Sequence, residues 1–393
     1  MQSRPKAKET SSGGGHRARQ LFTRLQPRER EMLQMLRVMA ERESPSHDKP
    51  ALARLAQFLH DEFSRRGGTA KLHSREGNGP HLQVDLPGGR GAPLLLLGHY
   101  DTVWELGTLA RMPWRIEAGR AWGPGVFDMK GGIVQALFAL EALAGDGGPP
   151  RPVTVLLVSD EEVGSDSSRQ LTESLAKRSA AVLVLEPAQG LEGACKTARK
   201  GVGDFTVRVR GVSAHAGLDF EKGHNAVLEL ARQIERIAGF TDLKRGLTVS
   251  PGVIRGGTRA NVVPDQAEVL VDVRIGRRSD AGRIEKKFGS LRPCDPKCRI
   301  EVEGGMNRPP LERTQGVARL YERARAIARD LGFELKEAAV GGGSDGNFTA
   351  GMGIPTLDGL GAVGEGAHAS HESILIAELP RRAALLARLI ETV

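Results

Sequence analysis

Residues 94–101 read Leu94, Leu95, Leu96, Leu97, Gly98, His99, Tyr100, Asp101: four leucines in a row that end on a glycine, an imidazole and a carboxylate. A short, uniformly apolar run fits an interior strand covered on both faces, as in parallel sheets lying between helices. The chain repeats this arrangement twice. Residues 153–158 run into Ser159, Asp160, Glu161 and Glu162, and residues 181–185 run into Glu186 and Pro187. Open α/β sheets take their ligands beyond the carboxyl ends of the strands. Three strands therefore deliver ligand-type side chains to one edge.

Around this centre the pattern is helical. Met32, Leu33, Leu36 and Met39 recur at helical spacing, as do Leu52, Leu55, Phe58, Leu59 and Phe63, and residues 133–143 between the first two strands. After Gly201 the period changes to two: Phe205, Val207 and Val209 alternate with polar residues, as do Val269, Val271 and Val273, which marks a sheet with one solvated face. The fold class is therefore α/β, a mixed and mostly parallel sheet between helices, interrupted by an inserted α+β domain. That insert has strands near 203–210, 247–255, 266–274 and 298–303 and helices near 224–238 and 279–289. A long helix over 311–331, a strand near 333–339, a glycine-rich loop, a short strand at 355–357 and a last helix from Leu379 return the chain to the first domain. At 393 residues the chain exceeds what one core usually supports. The division expected is a discontinuous catalytic domain, 21–201 with 311–393, and an inserted domain, 202–310.

Composition excludes several classes. Hydrophobic residues at 39% and charged residues at 26% are ordinary for a globular protein. No apolar run approaches the ~18 residues needed to span a bilayer, and the amino-terminal residues do not read as a secretory signal. No membrane and a cytoplasmic location are expected. The formal charge of +8 suggests nucleic acid, but residues 1–20, with five Lys or Arg against one Glu, carry half of it. They read as a disordered basic tail, and no nucleic-acid partner is expected. Three cysteines make no disulfide framework. Cys294 and Cys298 have no second Cys or His pair near them and are left out of the site.

A histidine or an acidic turn alone is ordinary. Together at one edge, such groups are costly to hold unless a cation neutralises them. Mixed imidazole and carboxylate donors suit zinc, with manganese or cobalt admissible. Asp128, in Gly123–Pro124–Gly125–Val126–Phe127–Asp128–Met129–Lys130–Gly131–Gly132, precedes a helical pattern and by itself reads equally well as a helix cap. Residues 341–346, GGGSDG, lack both the Lys-Ser/Thr ending of a P-loop and the GxGxxG spacing.

The segments LLLLGHYDTV, GPGVFDMKGG, SDEEVGS, VLEP, GVSAHAG, ANVVPDQAEVLVDVR, GGGSDG and GEGAHASHE, in this order, resemble the successive signatures of the zinc-dependent glutamate carboxypeptidase, aminoacylase and succinyl-diaminopimelate desuccinylase family (peptidase family M20), with the glutamate carboxypeptidase-like members nearest. The resemblance covers nearly the whole chain beyond the tail. It implies a hydrolase-like catalytic domain and a ferredoxin-like lid of four strands and two helices through which two copies dimerise. It also implies two Zn2+ per subunit, bridged by Asp128, one completed by His99 and Glu186 and the other by Glu162 and His368. His371 competes with His368 for the last position but stands where the family often has Asp or Asn. Asp101 would orient His99, Glu161 would be the general base, and the Asp128–Met129 peptide would be cis. His215 would stabilise the oxyanion in the partner's site, while Asn261, Arg274 and Gly343 would contact substrate. Arg274 beside Asp272 reads alternatively as a surface ion pair. The implied activity is release of a carboxy-terminal amino acid from a small peptide or N-acyl substrate, with an aminoacylase or dipeptidase activity as the alternative.

Overall fold

The computed structural model describes residues 13–74 and 77–393. They form two compact units: one of residues up to Thr197 with Arg313–Ala338 and Met352–Val393, the other of Ala198–Glu312 with Ala339–Gly351. The glycine-rich loop thus groups with the inserted unit, whereas the sequence pattern predicts it in the catalytic one. The cause is local. Lys200 N donates to Val340 O at 3.0 Å, and the Asn347 amide group donates to the carbonyls of Lys200 and Pro309 at 3.0 and 2.7 Å.

The first unit is built on a six-stranded sheet in the order Thr69–His73, His81–Leu86, Val153–Val158, Leu94–His99, Ala181–Val184, Thr356–Leu357. The last four run parallel; His81–Leu86 joins them antiparallel. The leucine run divides as a two-sided strand must. Leu94 and Leu96 enter the large core with the helices Gly131–Ala144 and Glu378–Thr392, while Leu95 and Leu97 pack with Leu175 and Ala176 of the helix Arg169–Lys177. The hairpin Thr69–His73 with His81–Leu86 has no counterpart in the sequence reading, because its outer strand is half exposed and lacks an apolar run.

Residues 1–12 lie outside the described residues, but the rest of the expected tail is ordered: Gly13–Leu25 is a helix. Ala18, Leu21 and Leu25 bury one stripe of it. Along one edge of that stripe Arg17 bridges Asp146 and Glu391 at 2.7 and 2.5 Å, and Arg24 also pairs with Asp146. Arg17, one of the basic residues that suggested a solvated arm, is thus held between two acidic partners.

The second unit is a four-stranded antiparallel sheet in the order Thr248–Gly256, Gln266–Ile275, Gly201–Arg210, Arg299–Arg308. The helices Ala226–Ala238 and Ala281–Gly289 complete the β-α-β-β-α-β ferredoxin-like pattern. Phe205, Val207, Val209, Val269, Val271 and Val273 bury one face with Leu230, Ile237, Ile284 and Phe288. Phe205 stacks flat on Phe288 with centroids 3.9 Å apart.

Candidate metal centre

The strand Leu94–His99 ends on His99, whose ring is buried. Its Nδ1 faces the Asp101 main-chain carbonyl at 3.0 Å and the Asp101 carboxylate at 3.4 Å. The carbonyl is the nearer partner, so the main chain shares the orienting role that the sequence reading gave to the carboxylate alone. With the proton on Nδ1, Nε2 is left to coordinate. That carboxylate has other work: Oδ1 accepts from the Glu161 amide at 3.3 Å, and Oδ2 accepts from the Glu162 amide at 3.2 Å and from Ser46 Oγ at 2.7 Å. Asp101 therefore ties the end of one strand to the Glu161–Val163 turn after the next.

Asp128 lies in extended conformation (φ −114°, ψ 94°), three residues before the helix Gly131–Ala144, and its peptide to Met129 is cis. It is not the helix cap: Lys130 holds that position without a side-chain cap. His99 Nε2 stands 3.3 Å from Asp128 Oδ1 and 3.5 Å from Glu186 Oε1. On the other side His368 Nε2 stands 3.5 Å from Asp128 Oδ2 and 3.2 Å from Glu162 Oε2. Two trios result, His99–Asp128–Glu186 and Asp128–Glu162–His368, with the donor atoms of each within 4.8 Å of one another. We name them the first and second centres. Asp128 Oδ1 is buried and makes no hydrogen bond of proper geometry despite the nearby imidazole. Donors that converge on a buried carboxylate oxygen left without a hydrogen bond fit a shared cation, and one imidazole with two carboxylates at each centre fits zinc.

Charge is concentrated accordingly. Burial would raise the Asp128 carboxyl, but His368 and His99 hold it well below the ordinary range. Burial opposes the charge on His99, yet Asp101, Asp128 and Glu186 keep its pKa well above the usual value. The Asp128 and Glu162 carboxylates push His368 up to about 10. His368 has a positive φ of 60° and a side chain 52% exposed, unlike buried His99. His371 is in neither trio.

Asp160 and Lys196 had no legible signal as supports, whereas Glu372 follows His368 at the spacing usual in the resembled motif. Behind the Glu161 turn, Asp160 Oδ2 accepts from the amides of Ser167 and Ser168 at 2.8 and 3.3 Å and from Ser167 Oγ at 2.7 Å, and His81 Nε2 contacts that hydroxyl at 3.0 Å. Lys196 Nζ lies 4.0 Å from Glu186 Oε2. Burial pushes the Glu372 carboxyl up to about 7, while the amides of Asp128, Gly125 and Phe127 and the Trp104 indole pull it back.

The remaining predicted residues belong to the second unit. His215, exposed on Ala214–His215, pairs opposite Val262, next to Asn261. Its Nδ1 accepts from the amides of Gly217 and Leu218, both at 3.1 Å, so the ring proton sits on Nε2, which can donate outward. Arg274 turns its fork onto Asp272 through three hydrogen bonds of 2.6 to 3.0 Å. Gly343 O accepts from Arg199 at 3.0 Å, and a Cβ there would meet Val202 at 2.9 Å and Arg308 at 3.2 Å. Buried Arg308 in turn holds Asp345 at 3.0 Å.

Residues 95–392 match the family described as Peptidase family M20/M25/M40. The chain is 30% identical to carboxypeptidase G2 of Pseudomonas sp. (strain RS-16) over 366 residues, covering 91% of this chain and 88% of that one. It is 27% identical to succinyl-diaminopimelate desuccinylase of Dechloromonas aromatica (strain RCB) over 353 residues, covering 84% and 88%. The fold is similar to that of an M20 family metallo-carboxypeptidase, Sso-CP2, from Sulfolobus solfataricus, with TM-score 0.74, 17% identity and coverage of 92% and 98%.

Proposed function

The chain belongs to peptidase family M20/M25/M40 and is a metal-dependent peptidase or amidohydrolase; from that premise we propose that it is a two-zinc carboxypeptidase, releasing a carboxy-terminal amino acid from a small peptide or N-acyl substrate. The observation that carries the reading is the pair of ligand trios sharing Asp128. The first centre would be held by His99, Asp128 and Glu186, and the second by Asp128, Glu162 and His368. When bound, two such ions supply Lewis acidity, acidifying water and polarising the scissile carbonyl. Glu161 takes the proton from the attacking water and returns it to the leaving amine. Asp101 keeps His99 in the coordinating tautomer and holds the Glu161 turn in register.

His215 donates from Nε2 to the developing oxyanion, and its fixed tautomer supports that role. We place it in the site of a second copy, paired through the inserted unit. Support comes from the edge strand Thr248–Gly256, which exposes Val253 and Ile254, and from exposed Leu218, Phe220 and Leu228 in the same unit. Asn261, Arg274 and Gly343 are the proposed substrate contacts, Arg274 by exchanging Asp272 for the substrate carboxylate.

The test is hydrolysis of a panel of N-acyl amino acids and dipeptides by the zinc-loaded chain. Turnover with a preference for a free carboxylate is expected, with Arg274→Ala raising KM selectively for those substrates. No turnover of any member overturns the proposal. Similarity to succinyl-diaminopimelate desuccinylase favours a second reading, an N-acyl deacylase. Turnover independent of the free carboxylate would select it.

A further inference from the structure

The metal ligands are held in two different ways. His99 and Glu186 stand at or just past the ends of the buried parallel strands Leu94–His99 and Ala181–Val184. Asp128 and His368 stand on loops, one in extended conformation and the other with positive φ. Ladders close only the bases of these loops, with Glu365 opposite Ser373 and Ser373 opposite Trp122, so nearer the ligands another group must hold them.

The group that reaches both is Glu372, 1% exposed and four residues beyond His368. Its Oε1 accepts from the amides of Phe127 and Asp128 at 2.9 and 3.0 Å. Its Oε2 accepts from the Gly125 amide and from the Trp104 indole Nε1, both at 2.8 Å. Its main chain closes the other loop: Glu372 N donates to Ala369 O at 2.9 Å, and Ala369 N donates to Gly366 O at 2.9 Å, bracketing His368. One residue thus binds three amides of the Asp128 loop and shapes the His368 turn.

Resting on the two-metal reading, we propose that Glu372 is the positioning residue of the second centre, locking bridging Asp128 and His368 into one piece, with Trp104 as the fourth donor that completes the lock. Only a carboxylate serves, because all four partners are N–H donors and both oxygens must accept. A glutamine of the same shape has one accepting oxygen; whichever way it turns, its NH2 group meets two donors and half of the bonds are lost. The second centre depends on Glu372 for two of its three ligands. The first depends on it for Asp128 alone, its other two being set by the strands.

The experiment is stepwise Co2+ titration of the full chain against a chromophoric chelator, with visible spectra, for wild type, Glu372→Gln and Trp104→Phe. Wild type is expected to bind two ions. In E372Q the second step should weaken about 10- to 100-fold, as removing an outer partner of a ligand does, and the first step, which shares only Asp128, by a clearly smaller factor. In W104F, which keeps three of the four donors, the second step should weaken about threefold. Two steps unchanged in E372Q, or both weakened alike, overturn the role of Glu372. Should E372Q fail to fold, W104F decides, and an unchanged second step there overturns it equally. A wild-type chain that binds fewer than two ions instead overturns the two-metal reading itself, and this inference with it.

Discussion

Replacing Arg382 by methionine tests whether a buried cation bonded to main-chain carbonyls holds part of the candidate metal site. Arg382 is 1% exposed on the helix Glu378–Thr392, and burial lowers its pKa. Its guanidinium donates to three buried main-chain carbonyls: Gly359 O at 2.6 Å, Gly193 O at 3.0 Å and Gly361 O at 3.3 Å. Methionine fills similar space but donates nothing. Each buried acceptor left without a partner costs about 1–3 kcal/mol, offset in part because no guanidinium need be desolvated. The net loss should be about 3 kcal/mol, a sizeable fraction of a typical total of roughly 5–15 kcal/mol. The consequence reaches the site, since Gly361 N donates to Glu186 O at 2.8 Å and Leu360 N to Val184 O at 3.2 Å. Guanidinium denaturation followed by circular dichroism, with and without zinc, measures the loss. Arg382→Lys, which keeps a cation with three donors, should recover part of it. A loss below about 1 kcal/mol in R382M would refute the reasoning, because three orphaned carbonyls cannot be that cheap.

Leu21→Ala, in the helix that takes up the end of the expected tail, should destabilise by about 2–5 kcal/mol as a buried truncation; an effect near zero would show that this helix is not part of the core. Iodoacetamide at pH 8 should label exposed Cys294 first, since burial pushes the Cys195 thiol up to about 11 and that of Cys298 upward, leaving little thiolate on either. Equal labelling of Cys195 in the folded chain would contradict its burial, and mass spectrometry distinguishes the sites. Glu161→Gln and His215→Ala should each cut kcat by about two to four orders of magnitude. If His215 acts across the dimer, mixing the two variants should restore about a quarter of wild-type activity through mixed dimers with one intact site; no restoration in a confirmed mixed dimer removes the trans arrangement.

The parts of the centre that were legible are those a strand delivers. His99, Glu162 and Glu186 follow apolar runs whose length and purity already state that both faces are covered, so the residues after them can only emerge at the sheet's edge. Asp128 and His368 were identified by motif resemblance, because a loop's path is set by which main-chain amides it satisfies. The acceptor that satisfies the amides of Gly125, Phe127 and Asp128 lies more than two hundred residues away in the chain. The helix Gly13–Leu25 failed for another reason. Ala18, Leu21 and Leu25 already had the three- and four-residue spacing of a buried stripe, but the positive charge drew the reading toward solvent. What the charge lacked, seen from the sequence, was Asp146 and Glu391.

Arg274 shows where residue type and position stop deciding function. A planar fork suits a substrate carboxylate, and equally any carboxylate on the same face of its strand. Side chains alternate along a strand with period two, so residues i and i+2 share a face. Asp272 is therefore the partner the strand Gln266–Ile275 supplies to Arg274 regardless of substrate, and the three hydrogen bonds between them take up its fork. A substrate carboxylate must then replace an existing partner, and only the difference between the two interactions contributes to binding. Both groups are partly exposed, 32% for Arg274 and 39% for Asp272, so the pair being broken is screened and worth about 0–1 kcal/mol. A substrate held in a drier pocket can exceed that, which is why Arg274→Ala should act on KM for free-carboxylate substrates, while Asp272→Asn, by freeing the fork, should lower it.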